Sequence, residues 1–147
     1  MEAGRALCLL CRAGGERLAL RAADVLKVVG GARLCRLPRL PPQVAGITHN
    51  RGRIVTVFDP GVLLFGSLLP TAHPGSVDAR VVVLDRGQRH LALAVDGVDE
   101  IETLRLGPDL PAGPTPAVRV AEHRGKAVFA VDADRLVETM LAAADAA

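Results

Sequence analysis

The chain has 147 residues, half of them hydrophobic and 23% charged, with a formal net charge of +2. That length buries a sizeable core as one domain or as two small lobes, and the composition excludes a disordered or fibrous chain. No apolar run approaches the roughly 18 residues of a membrane span.

The amino terminus, Met1-Glu2-Ala3-Gly4-Arg5, lacks the long apolar stretch of a secretory signal, which favours a cytoplasmic location. Strand signals then dominate. Short runs rich in Val, Leu and Ile predict strands at 6–11, 17–20, 25–29, 54–58, 80–84, 90–95, 98–104, 118–120 and 127–131. Glycine pairs and single glycines punctuate these runs, and the prolines cluster at 38–42, 70–74 and 108–116, outside every one of them. Pro60–Phe65 reads as a single helical turn. The segment 67–78 reads as a linker. One longer helix is predicted at 133–143: Asp132 can cap it, and Leu136, Val137, Met140 and Leu141 share a face. The near-continuous hydrophobicity of Ile54–Phe58 predicts burial on both faces, as where one lobe packs on another.

Two blocks of the chain repeat at a constant offset of 73 residues. Arg51, Gly52, Val55, Asp59 and Leu63 recur as Arg124, Gly125, Val128, Asp132 and Leu136. Upstream, Gly14, Leu18, Ala19, Leu20 and Val25 recur as Gly87, Leu91, Ala92, Leu93 and Val98. One offset held without a gap across separate blocks implies a duplicated unit. The expected architecture is all-β: two small barrels related by the repeat and followed by a helix, with lobe one at 6–66 and lobe two at 79–132. The halves differ in charge. Residues 1–73 hold ten Lys/Arg against four acids (+6), and residues 74–147 hold eight against twelve (−4). Surface drift explains this as well as complementarity between a basic and an acidic lobe does.

Catalytic constellations are missing. Ser67 and Ser76 lie outside any GxSxG turn, and no phosphate-cradling or dinucleotide glycine motif occurs. His49, His73, His90 and His123 lack ligand spacing and read as surface or turn residues. Cys8 and Cys11 form a CxxC, but residues three apart on a strand point to opposite faces and cannot share a metal. The acidic run 96–102 alternates with apolar residues, as a solvated strand face does. No metal, cofactor or enzymatic activity is expected. A single-strand nucleic-acid barrel needs aromatic platforms. With Phe58, Phe65 and Phe129 as its only aromatics, the chain is poorly equipped for that role.

The stretch Val44-Ala45-Gly46-Ile47-Thr48-His49-Asn50-Arg51-Gly52-Arg53-Ile54-Val55-Thr56-Val57-Phe58-Asp59, preceded by Pro38, resembles the signature of the chemotaxis coupling protein (CheW) family, roughly P…aGvxNxRGxxxPvxDL. Val95-Asp96-Gly97-Val98 resembles that family's VDxV turn, and Leu18–Leu20 with Val25–Val28 its opening hairpin. The resemblance spans about residues 6–141. It implies a non-enzymatic, cytoplasmic adaptor built of two SH3-like five-stranded barrels. Its partners would be the cytoplasmic tip of methyl-accepting chemoreceptors, the regulatory domain of a chemotaxis histidine kinase and further copies in an array, with neither nucleic acid nor membrane insertion.

The partner-binding positions implied by the resemblance are Val28, Gly46, His49, Asn50, Arg51, Gly52 and Asp59, with Asp96, Gly97 and Val98 bordering a groove between lobes. The chain departs from the pattern at His49, Asn50, Thr56 and Pro60. Gly30 stands where the family usually carries a glutamate that pairs with the motif arginine. Arg51 is therefore expected to pair with Asp24 or Asp59, or to face a partner, because a buried unpaired guanidinium is costly. An adaptor that binds receptors without coupling the kinase is the alternative reading.

Overall fold

The computed structural model describes residues 4–31, 33–36, 38–65, 80–86 and 90–145. Every predicted strand is present. The first copy of the repeat forms β1 (Arg5–Ala13), β2 (Glu16–Arg21), β3 (Val25–Gly30), β4 (Val44–Asn50), β5 (Arg53–Phe58) and the short helix α1 (Pro60–Phe65). The second forms β6 (Arg80–Leu84), β7 (Leu91–Val95), β8 (Gly97–Arg105), β9 (Val118–His123), β10 (Lys126–Val131) and α2 (Ala133–Asp145). Strand β4 falls outside the predicted runs, since Gly46, Thr48, His49 and Asn50 break its apolar pattern. The predicted linker 67–78 lies outside the described residues.

The ten strands form two five-stranded sheets, ordered β8-β1-β2-β10-β9 and β3-β6-β7-β5-β4. This corrects the expected division into lobes at 6–66 and 79–132. Each sheet takes its first two sequential strands from one copy and the other three from the second copy. Nothing in a repeat offset distinguishes side-by-side copies from exchanged ones; long-range strand pairing decides it. The exchange is reciprocal down to register. Thr56 pairs with Leu91 and Val57 with Ala92 in the parallel β5–β7 contact. The same positions, 73 residues displaced, are Phe129 with Leu18 and Ala130 with Ala19 in β10–β2. Antiparallel β3–β6 and β1–β8 also match, including a bulge just after the pairs Val25–Leu84 and Val98–Cys11.

Three apolar clusters follow from the alternation of strand side chains. Cys8 and Leu10 point into the first sheet's own core with Ala19, Leu104 and Val128. Val55, Val57, Val81 and Val83 fill the second sheet's core. The opposite faces, carrying Leu9, Cys11, Phe58, Val82 and Leu93, meet in one shared cluster completed by Leu64 of α1 and Leu136 and Met140 of α2. Strand β5 is thus buried on both faces at its C-terminal end, as its composition predicts, while Ile54 remains 64% exposed.

Cys8 and Cys11 fall on opposite sides of β1 and in different clusters. Burial raises both thiols, Cys11 to about 12, with the nearby Asp99 carboxylate adding to the effect. Both helices begin on a repeated aspartate. Asp59 Oδ1 accepts from the amides of Gly61 and Val62, and Asp132 Oδ1 from those of Asp134 and Arg135.

Two outcomes are expected. A chain cut between residues 73 and 74 yields halves that hold only isolated hairpins, which are marginal alone. Each half is unfolded by circular dichroism, and an equimolar mixture recovers the β spectrum. A half that folds alone overturns the exchange. Second, a thiol reagent near neutral pH labels Cys35, which is exposed, and reaches Cys8 and Cys11 only on unfolding. Because Cys11 is raised from 9.0 to about 12 in the folded chain, its contribution is complete below pH 9.0 and declines as pH rises toward 12. Denaturation profiles of the wild type fall more steeply over that window than those of Cys11→Ala.

Candidate functional site

The β4–β5 hairpin pairs Asn50 with Arg53 and so closes through only two residues, Arg51 and Gly52. Their φ values are 51° and 78°, both positive, as a turn matching the strand twist requires. Glycine adopts this conformation freely; an arginine held there costs about 1–2 kcal/mol. The β9–β10 hairpin repeats the geometry, with Arg124 at 53° and Gly125 at 77° between His123 and Lys126. The turn itself is therefore architecture, present in both lobes.

The electrostatic surroundings of the two tips are opposite. Arg124 Nη2 lies 3.3 Å from Glu102 Oε1 and 3.9 Å from Glu100 Oε2. His123 is buried beside them, its Nε2 3.8 Å from Glu100 and 3.9 Å from Glu102. The repeat equivalents of Glu100, Glu102 and His123 are Lys27, Val29 and Asn50. There, Lys27 Nζ donates to Asn50 Oδ1 at 3.3 Å, and Arg53 Nη1 sits 3.1 Å from His90 Nε2. Arg51 is exposed, and among the described residues it has no ion pair. Neither acid expected to pair with it is available. Asp24 Oδ1 accepts from Arg86 at 2.9 Å, and Asp59 is buried as the α1 cap.

The charge difference between sequence halves survives reassignment to the exchanged lobes. Residues 25–65 and 80–86 carry eight Lys/Arg against Asp59 and Asp85, a balance of +6. Residues 5–24 and 96–145 carry nine against twelve acids, −3.

The ten expected contact positions separate into two groups. His49, Asn50, Arg51 and Gly52 share the hairpin tip, and Val28, 39% exposed, lies one residue beyond Lys27, which bonds to Asn50. The others are engaged within the chain. Gly46 is buried, and a Cβ there would stand 2.8 Å from the Cys35 carbonyl oxygen. Asp59 is the helix cap. Asp96 Oδ2 accepts from the Gly14 amide at 3.0 Å, Gly97 is buried beneath Arg12, and Val98 packs on the shared core. The segment Asp96–Val98 thus ties β8 to the β1–β2 hairpin.

Sequence reasoning missed Lys27, Arg53, His90 and Ile54 as neighbours of this tip. Comparing the two copies position by position carries the signal, since the reversal from Glu100 to Lys27 stands out there. His123 also departs from its expected surface place. Its Nδ1 lies 3.0 Å from Arg17 Nη2, a group that can only donate, so the ring proton sits on Nε2 facing the two carboxylates. Glu100, Glu102 and His123 lie close enough to hold a cation. With the proton on Nε2 the ring is neutral, and the ion pairs of this cluster run from Arg124 to Glu100 and Glu102.

The three phenylalanines offer no platform for bases. Phe58 is 1% exposed, and the Phe65 and Phe129 rings pack on each other at 4.9 Å. No helix among the described residues is long and apolar enough to cross a membrane.

No curated protein matches the chain. The scaffolding protein TtCheW from Thermoanaerobacter tengcongensis has a similar structure, with a TM-score of 0.68 over 86% of this chain and 88% of that one at 23% identity. That likeness carries the two-lobed fold. The CheW-like domain model matches residues 7–140. With a family model spanning nearly the whole chain, an exchanged pair of five-stranded lobes and the Arg51-Gly52 hairpin in place, this protein belongs to the CheW-like domain family.

Proposed function

We propose that this protein is a cytoplasmic, non-enzymatic scaffold that links the tips of chemoreceptors to a chemotaxis-type histidine kinase. Membership of the CheW-like family supports the adaptor role. The observation that carries the contact assignment is the contrast between the two hairpin tips. Arg124 is neutralised by Glu100 and Glu102, whereas Arg51 projects from a lobe of balance +6 with no acid to meet it among the described residues. Arg51 is the anchor of the partner surface, with His49, Asn50 and Gly52 beside it. An exposed arginine with a free fork, near Lys27 and Arg53 and accompanied by the exposed apolar Val28 and Ile54, suits a partner surface presenting carboxylates around an apolar centre.

The test measures binding of the purified chain to receptor tips and to the kinase regulatory domain, followed by receptor-stimulated kinase activity with this chain as sole adaptor. Arg51→Ala is expected to weaken binding about 30-fold, the scale of an interface hot spot. Arg124→Ala is expected to leave binding within about twofold and to lower stability by about 1 kcal/mol or less, as for an exposed ion pair. Affinity should fall as ionic strength rises. Equal effects of the two substitutions, or no complex with either partner, overturn the assignment. Receptor binding without kinase stimulation identifies a receptor-binding paralogue instead.

A further inference from the structure

The lobe formed by β8-β1-β2-β10-β9 has a second open end, away from His123 and Arg124. Arg21 closes β2, Arg119 is the second residue of β9, and β10 lies between these strands. A cavity of 430 Å³ sits there, floored by Leu106, Leu110 and Ala130, and rimmed by Arg21, Arg86, Arg119 and Arg135. Arg119 and Arg135 also line an adjoining cavity of 300 Å³ walled by residues 112–116.

The acids at this cavity pair with Arg86 and Arg135 and leave Arg21 and Arg119 without one among the described residues. Asp24 is held by Arg86 at 2.9 Å. Asp132 caps α2, and its second oxygen is 3.8 Å from Arg135. Asp134, 88% exposed, lies 3.5 Å from the same Arg86 Nη2. Arg21 has no ion pair among the described residues. Arg119 donates only to the carbonyls of Pro108 and Leu110, at 3.1 and 3.2 Å.

Two further observations point to a ligand. Among the described residues, the buried side-chain polar atoms without a hydrogen-bond partner are Arg86 Nε and Thr115 Oγ1, and these residues stand on the walls of the two adjoining cavities. An orphaned donor is costly unless something else fills its place. Moreover, the repeat equivalents of Arg21, Arg86, Arg119 and Arg135 are Ala94, Ala13, Gly46 and Val62. None of those four equivalents is an arginine, so the fold does not require arginine at these positions.

We propose that this arginine-rimmed cavity binds an oxyanion of the phosphate class, either free or carried as a monoester on a small molecule, with Arg21 and Arg119 as its principal donors. Guanidinium forks match phosphate oxygens bidentately, and the apolar floor accepts the carbon body of an ester. The amides of Asp134 and Arg135 are already taken by the Asp132 cap.

The experiment titrates inorganic phosphate and, separately, glycerol 3-phosphate into the full chain at constant ionic strength, read by calorimetry and amide chemical shifts. Saturable one-to-one binding at millimolar concentration or below is expected, with shifts confined to the cavity. Saturation by both ligands identifies free phosphate as sufficient, and saturation by the ester alone shows that the carbon body is required. Arg21→Gln and Arg119→Gln should each weaken binding about tenfold, the scale of one charge-assisted hydrogen bond. Lys126→Gln, at the opposite end of the lobe, removes the same charge and should leave it unchanged. Two variants are used because Arg119 also braces a loop, whereas Arg21 is exposed and has no such duty. Unsaturable binding, or equal weakening in Lys126→Gln, overturns the proposal.

Discussion

Two parallel strand contacts hold this molecule together: β2 with β10 and β5 with β7. Each joins the first hairpin of one copy to the second hairpin of the other, so neither sheet exists until both copies are present. The adjoining antiparallel pairs, β1–β8 and β3–β6, also cross between copies. Long-range closure of this kind is entropically expensive before its contacts form. What offsets it is the shared cluster around Phe58, Leu93, Leu136 and Met140, which buries the inner faces of both sheets at once. The two helices complete that cluster from opposite copies.

Because the exchange is reciprocal, the backbone of one lobe is a template for the other, and the chemistry at equivalent positions is free to diverge. Hairpin geometry resists change, since the twist demands positive φ at Arg51 and Gly52 as at Arg124 and Gly125. Surface charge does not resist, because a single exposed ion pair contributes little to stability. So the same turn is neutralised in one lobe and, among the described residues, left unpaired in the other. At the far end, the four arginines around the cavity correspond to two alanines, a glycine and a valine. In a two-copy fold, such differences between equivalents separate duties from architecture.

Much of this was legible in the residues. The period of β1 places Cys8 and Cys11 on opposite faces, and they occupy separate cores. Asp132 before an amphipathic run caps a helix, and its copy Asp59 does the same, which removes Asp59 from the exposed surface. Strand β4 escaped notice because its polar residues lie at the hairpin tip, where exposure relaxes the alternation. His123 reads as a turn histidine in one dimension; only the pairing of β9 beside β10 and the approach of Arg17 bury it.

By itself, the sequence determined the strand content, the turns, the helix caps, the family and the duplication, because these depend on residues within a few positions of one another or on an offset that can be counted. Tertiary structure alone decided which copy supplies which strand, that among the described residues Arg51 faces no acid while Arg124 faces two, and that four arginines distant in the chain share one cavity. The reason is that strand exchange is a choice among long-range pairings with the same local propensities, and every charge environment in this protein is built from segments that meet only after that choice is made.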